Sequence, residues 1–347
     1  MNNAPTRDFA ERLLAWYDRA GRHDLPWQHP RTPYRVWVAE IMLQQTQVTT
    51  VVPYFASFMA RFPDVGSLAA APLDDVLACW SGLGYYARAR HLHVAAQHIM
   101  ASGAETWPTD LVGWRALPGV GRSTAGAILA QAFGRRCAIL DGNVRRVFAR
   151  HAGVEGWPGE PAVTRRLWEL AEQRLPHLRL ADYTQAQMDL GALICTTHHP
   201  QCEACPVADD CVARAHGSTD RLPTARPRRE RPRRILQLLL VCDGEGRWLV
   251  QRRAATGFWG GLWCPPLVAG SAEQRATCAR LGIRPGTWRR LPTVKHGFTH
   301  FDLQLQPRRC EAVATPRVAD DDLRWLPAEQ VLGLGLPAPI RRLFESL

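Results

Sequence analysis

The feature that most constrains this chain is a change of hydrophobic period across one short stretch. From residue 7 to about 216, apolar residues recur at helical spacing in Phe9–Arg19, Tyr34–Thr50, Leu73–Trp80, Ala87–Met100 and Ser123–Phe133, with Pro and Gly between the runs. Between Ser218 and Arg234 the composition turns to Pro and Arg with almost no apolar residues, which predicts an extended, solvated linker. Beyond it, Ile235–Cys242 and Arg247–Arg252 flank Asp243-Gly244-Glu245-Gly246 as two strands flank a tight turn. A further β-rich stretch runs through Thr293–Gln306, with short helices expected at Ala272–Leu281 and at the C-terminus. The chain of 347 residues therefore divides into a mostly α domain over 1–217, a linker over 218–234 and an α+β domain over 235–347.

The net charge of +11 points to a polyanionic partner, the other reading being a solvated basic surface. Lys295 is the sole lysine, so Schiff-base chemistry has one side-chain amine to draw on. Four of the ten cysteines, Cys195, Cys202, Cys205 and Cys211, crowd into residues 195–211 with the spacing C-x6-C-x2-C-x5-C. That is a metal-binding loop of a reducing compartment rather than a disulfide framework. Four thiolates suit a structural zinc or a [4Fe-4S] cluster, and a single C-x2-C favours the cluster. Neither a leader peptide nor a membrane-length apolar run is present in the sequence, so the expectation is a soluble, intracellular protein.

Leu117-Pro118-Gly119-Val120-Gly121-Arg122-Ser123 leads into an apolar helix, so that backbone N–H groups and a helix dipole face a phosphate. The plainer reading is a capped helix, with Ser123 or Thr124 as the cap. Asp141-Gly142-Asn143 precedes a second, basic helix, Val144–His151. Asp141 reads either as its N-cap or as a carboxylate held ionised by the dipole against a cationic sugar. With Tyr34–Thr50 taken as one helix, Glu40 shares a stripe with Val36, Trp37, Leu43, Gln44 and Gln47, where partial burial would raise its pKa. Pattern alone also leaves Glu40 readable as a solvated helix-surface acid.

At this point the sequence resembles the helix-hairpin-helix DNA glycosylase superfamily, through the hairpin over 117–125, the aspartate at 141 and the cysteine spacing. It resembles the MutY-type branch in Leu25-Pro26-Trp27, Glu40-Ile41-Met42-Leu43-Gln44-Gln45-Thr46, Gly82-Leu83-Gly84-Tyr85-Tyr86-Ala87-Arg88 and Ile139-Leu140-Asp141-Gly142-Asn143-Val144. The resemblance implies a monofunctional glycosylase that excises adenine mispaired with 8-oxoguanine, and also with guanine, leaving an abasic site. It implies Glu40 as the acid at adenine N7, Asp141 facing the oxocarbenium-like sugar, Asn143 positioning both, and a [4Fe-4S] cluster on the four cysteines. Ser123 stands where endonuclease III-like relatives carry a Schiff-base lysine. By the same resemblance Trp27, Leu43 and Gln185 line the adenine pocket, Gln45 and Tyr85 fill and wedge the duplex, and Gly119 and Gly121 meet its backbone.

In the second domain, Gly257-Phe258-Trp259-Gly260-Gly261-Leu262-Trp263 is similar to the Nudix-like domain of the same family. A Nudix hydrolase needs a Glu-rich helix for magnesium, and Ser271–Gly282 offers only Glu273. Phe298-Thr299-His300 is similar to the segment that reads 8-oxoguanine, with threonine where serine is more familiar. Arg226–Arg234 reads as a phosphate-tracking segment or a soluble tether. The partner expected is double-stranded DNA carrying A:8-oxoguanine or A:G, the state a monomer, and the place the bacterial cytoplasm with its nucleoid. The competing functions are a bifunctional endonuclease III-like lyase, a non-catalytic lesion-binding redox sensor, and Nudix hydrolysis of damaged nucleotides.

Overall fold

A computed structural model describes residues 8–103, 106–227, 230–314 and 322–347. Helices come first: α1 Phe9–Ala20, α2 Pro33–Leu43, α3 Val48–Arg61, α4 Val65–Ala70, α5 Leu73–Cys79, α6 Ala87–Ala101, α7 Leu111–Ala116, α8 Arg122–Phe133, α9 Gly142–His151, α10 Pro161–Gln173, α11 Leu180–Asp189 and α12 Val212–Ala215. There follow strands β1 Arg233–Cys242, β2 Trp248–Arg252, β3 Trp263–Cys264 and β4 Leu267–Val268, helix α13 Ser271–Arg280, and strands β5 Arg284–Pro285, β6 Arg289–Arg290, β7 Val294–Gly297, β8 Asp302–Ala314 and β9 Leu323–Leu326. Helices α14 Ala328–Leu332 and α15 Ala338–Glu345 end the chain. The two expected classes, a mostly α first part and an α+β second part, are what the chain adopts.

The chain forms two compact units, one of Met1–Ala69 with Val94–Arg228 and the other of Ala70–His93 with Arg229–Leu347. Residues 70–93, which a linear division assigns to the helical part, thus pack with the sheet. Asp74 at the start of α5 is the reason in part, because Arg252 of β2 donates to its Oδ2 at 3.0 Å.

In the helical unit, α2 starts at Thr32, whose hydroxyl accepts the Arg35 N–H at 3.3 Å, with Pro33 at the first helical position. It buries Val36, Trp37, Val38, Ile41 and Met42. Tyr34–Thr50 is not one helix as its periodicity predicts: the chain breaks after Leu43, and Gln45 takes a left-handed φ of 58° before α3 begins. Gln44 holds the break, its amide donating to Gly119 O and Thr124 Oγ1, each at 3.2 Å. A second core joins Leu13, Tyr17, Val144, Phe148, Leu167, Tyr183 and Leu190, all buried, each contributing roughly 1.5–3 kcal/mol by leaving water.

The expected solvated linker is corrected over its first half. Arg150 donates to Leu222 O at 2.8 Å, Thr224 Oγ1 accepts from Gly156 N at 3.1 Å, and Arg226 lies over Trp157. The buried Leu222 carbonyl and the side chains of Thr224 and Arg226 thus find partners on the helical unit, although residues 224–227 stay exposed. Arg228 and Arg229 of the Arg/Pro run lie outside the described residues, and β1 has begun by Arg233.

In the second unit the sheet order is β3-β2-β1-β8-β5, with β1 and β8 parallel over Arg233–Cys242 and Asp302–Glu311. The predicted turn at 243–246 is present, with Asp243 N donating to Arg247 O at 2.9 Å. The β-rich stretch 293–306 is two strands, β7 and β8, paired antiparallel around a turn at 298–301.

Candidate active site and cysteine loop

Glu40 sits on the last turn of α2, and its Oε1 accepts a hydrogen bond from Gln131 Nε2 of α8 at 2.8 Å. Burial pushes its carboxyl up to about 7; the Gln131 bond pulls it back and the charge of Asp141 adds to the rise. Asp141 caps α9, accepting the Val144 N–H at 2.8 Å, so the cap is real. Burial raises the Asp141 carboxyl above the ordinary 3.8, while the Val144 and Asn143 N–H groups and the charges of Arg146 and Arg145 pull it back down.

Several contacts fix where Asp141 stands. Ser123 Oγ accepts the Leu140 N–H at 3.0 Å, so this hydroxyl serves the segment before Asp141 and does not cap its own helix. The cap residue of α8 is Gly121, with no side-chain cap bond, which replaces the expected Ser123 or Thr124. A Cβ at Gly126 of α8 would lie 2.3 Å from Ala138 O, and one at Gly191 would lie 2.5 Å from Asn143 Cβ. Only glycine allows those approaches.

Trp27, Leu43, Gln45, Asp141, Asn143 and Gln185 line one cavity of about 760 Å³ within the helical unit. Their convergence from separate elements is the main structural result for the sequence-predicted site. Gln185 is buried; its amide nitrogen donates to Asp189 Oδ1 at 2.7 Å, and its Oε1 has no partner among the described residues. Asp189, fully buried, is paired with Arg22, whose guanidinium and backbone N–H both reach it at 2.6–2.9 Å. Arg22 also lines the cavity, and neither it nor Asp189 carries a local sequence signal. Gly119 and Gly121 lie apart on the exposed turn between α7 and α8, where Gly119 has a φ of 80°.

After α11 the chain makes one π-helical turn, Leu190–Ile194, and delivers Cys195. Cys195, Cys202, Cys205 and Cys211 surround a small cavity of about 30 Å³ together with Arg150 and Arg214. Burial pushes the Cys205 thiol up to about 11, with mutual repulsion among the four sulfurs adding to it. Among the described residues no three His, Cys, Asp or Glu side chains stand close enough for a single metal ion. Two arginines of α9 hold the loop. Arg150 donates to Cys195 Sγ at 3.4 Å and Thr196 O at 2.6 Å, and Arg146 to Cys195 O at 2.7 Å and Asn143 Oδ1 at 2.9 Å.

The remaining predicted residues belong to the second unit. Phe298-Thr299-His300 forms the turn between β7 and β8, closed by Phe298 N to Phe301 O at 2.8 Å. Thr299 and His300 are exposed, while Phe298 stacks on Phe301 at 4.5 Å and packs against Phe258 and Trp259 of the Gly-rich motif. Tyr85 stands exposed on the turn between α5 and α6. The Glu273 carboxylate accepts the Ala269 N–H at 2.6 Å. Among the described residues no helix is long and apolar enough to cross a membrane.

Residues 38–173 match the family model of the HhH-GPD superfamily of base excision DNA repair proteins, and residues 237–346 match that of the NUDIX domain. The adenine DNA glycosylase of Buchnera aphidicola from Acyrthosiphon pisum is 33% identical over 340 residues, covering 97% of each chain. The adenine DNA glycosylase of Homo sapiens is 32% identical over 401 residues, covering 97% of this chain and 73% of that protein. Among solved structures, a thermostable thymine-DNA glycosylase aligns with a TM-score of 0.55 and 28% identity, over 60% of this chain and 95% of that one. Endonuclease III in a DNA complex aligns with a TM-score of 0.51 at 20% identity, a likeness of fold, over 60% of this chain and 94% of that one.

Proposed function

This chain belongs to the adenine DNA glycosylase family, and from that premise we propose that it hydrolyses the N-glycosidic bond of adenine paired with 8-oxoguanine, or with guanine, in double-stranded DNA. The observation that carries the reading is the meeting of Trp27, Asp141, Asn143 and Gln185 around one cavity, with a carboxyl of pKa about 7, Glu40, electrostatically coupled to Asp141. A flipped adenine enters that cavity, and the unpartnered Gln185 Oε1 is free to accept from its exocyclic amine.

Glu40, half protonated near neutral pH, gives its proton to adenine N7. The C1′–N9 bond then breaks, adenine leaves neutral, and the bonding pair goes with it. The sugar cation faces Asp141, and its positive charge favours the ionised carboxylate that burial opposes. Water adds to C1′ and returns a proton to Glu40. The product is an abasic site with both strands intact. Ser123 offers no amine for strand cleavage, and the helical unit contains no lysine.

The four thiols suit a [4Fe-4S] cluster, because they ring a common cavity. Bound there, the cluster supplies a rigid cross-link for the loop and a redox centre. Arg146 and Arg150 orient the loop backbone around it. In the second unit, the exposed hydroxyl of Thr299 meets 8-oxoguanine, and Tyr85 enters the duplex beside the mispair. The protein works as a monomer in the cytoplasm, at the DNA.

The test is single-turnover base release from duplexes holding A opposite 8-oxoguanine, A opposite T, and thymine glycol opposite A, with and without hot alkali. Alkali-dependent breaks confined to A opposite 8-oxoguanine are expected. Alkali-independent cleavage at thymine glycol would show a lyase and sink the reading.

A further inference from the structure

Tyr85 is a large side chain left 47% exposed, and its backbone sits at φ 49°, following Gly82 at 101° and Gly84 at 78°. A bulky residue held in the left-handed region costs on the order of 1–3 kcal/mol and persists only where its surroundings over-determine it. Those surroundings come from the other end of the chain. Tyr86 is buried, donates its phenol to Leu336 O at 2.7 Å and accepts the Gly82 N–H at 3.0 Å. Ser81 Oγ donates to the same Leu336 carbonyl at 3.2 Å and accepts from Arg341 Nε at 3.1 Å. Arg341 also donates to Leu332 O at 2.8 Å, tying α14 to α15. On the opposite side Trp80 Nε1 and Arg88 both donate to Gly84 O, at 3.2 and 3.0 Å.

We infer that the C-terminal segment around Leu336 and Arg341 holds the Tyr85 turn in the shape that enters DNA, so that Tyr86 and Arg341 are positioning residues for base extrusion. An inserted aromatic displaces a paired base only if its own backbone does not yield first, because extrusion opposes it with a few kcal/mol of stacking and pairing. Released from Leu336, the turn relaxes toward negative φ and Tyr85 loses its direction. The same body carries the lesion-reading turn: Arg90 of α6 donates to Gly260 O at 2.5 Å, and the neighbouring Phe258 and Trp259 pack on Phe298. The inference rests on the adenine-excision reading above and adds to it a device far from Tyr85 in sequence.

The experiment places 2-aminopurine next to the target adenine opposite 8-oxoguanine and follows its fluorescence on mixing with the full-length, cluster-loaded protein. Adenine release is read from the same samples. Tyr86→Phe and Arg341→Ala are each expected to slow extrusion about tenfold, with no further loss when either is combined with Tyr85→Ala, since residues acting through one another are non-additive. Arg341→Lys, which still donates to Ser81, is expected to recover most of the rate. Wild-type extrusion in both single variants, additive losses in the doubles, or no effect of Tyr85→Ala would each overturn the inference. A wild-type protein that extrudes but releases no adenine would instead count against the catalytic reading, so the two failures are separable.

Discussion

The two units hold their working side chains in opposite ways. In the helical unit Trp27, Gln185 and Asp189 are buried and Glu40 and Asp141 strongly desolvated, in or beside one cavity. In the second unit Tyr85, Thr299 and His300 are exposed, each on a short turn braced from behind by buried Tyr86 or by stacked Phe298 and Phe301. On the proposed reading, the contrast follows from the tasks. Proton transfer to a base and stabilisation of a sugar cation need groups removed from water, where pKa values move and fields are strong. Reading a lesion inside a duplex needs groups that stand out from the surface without bending.

If that division is right, changes in the first region abolish chemistry, whereas changes in the second alter choice. The largest effect is expected for Glu40→Gln, a loss of roughly a hundred- to ten-thousandfold in single-turnover adenine release with duplex affinity retained, as for removal of a general acid. In the parent enzyme the rate should fall as pH rises through about 7, because a carboxyl raised from 4.5 to about 7 loses its proton there. A rate that rises through pH 7 would break the comparison. Next comes Asp141→Asn, which keeps an N-cap oxygen for Val144 but loses the charge, with a fall of roughly a hundred- to a thousandfold and little change in thermal midpoint. A fall in midpoint that accounts for the lost activity would make Asp141 a cap only.

Cys202→Ser sharpens the contrast within the helical unit. It is expected to remove the visible absorption of the cluster and lower the thermal midpoint by several degrees, by roughly the loss of a structural metal ligand. The smallest effect is expected for Thr299→Ala: about a tenfold loss of preference for 8-oxoguanine over guanine opposite adenine, the scale of one hydrogen bond, with an unchanged maximal rate. A change in that maximal rate would show that the second unit takes part in the chemistry.

How much was legible depended on whether a feature is local. The helix from Phe9, the turn at 243–246 and the capping role of Asp141 are written in neighbouring residues, and the chain adopts them. The break at Gln44–Gln47 was hidden because apolar period continues across it, and the partners of the Gln44 amide, Gly119 and Thr124 of the hairpin, are distant in sequence. The contacts of 218–227 were hidden for the opposite reason: its Pro and Arg content reads as solvated, yet its Leu222 carbonyl and Thr224 hydroxyl are met by Arg150 and Gly156. At the candidate site Trp27, Leu43, Gln45, Asp141, Asn143 and Gln185, named by resemblance, line one cavity, whereas Arg22, Asp189, Gln131 and Gly126 act through tertiary contacts without a local mark. The rise of the Asp141 carboxyl has no local mark either, because burial is a tertiary quantity.

Gly191 shows how far such contacts reach. A single methyl there would meet Asn143 at 2.5 Å and push the segment that starts at Asp141. The protein would still fold around its other contacts, and no catalytic residue would have changed. Its trace would appear elsewhere, in the genome of the cell that carries it. On the proposed reading, adenines left opposite 8-oxoguanine are copied as thymine, so the altered glycine would be recorded, generation after generation, as an excess of G:C to T:A transversions.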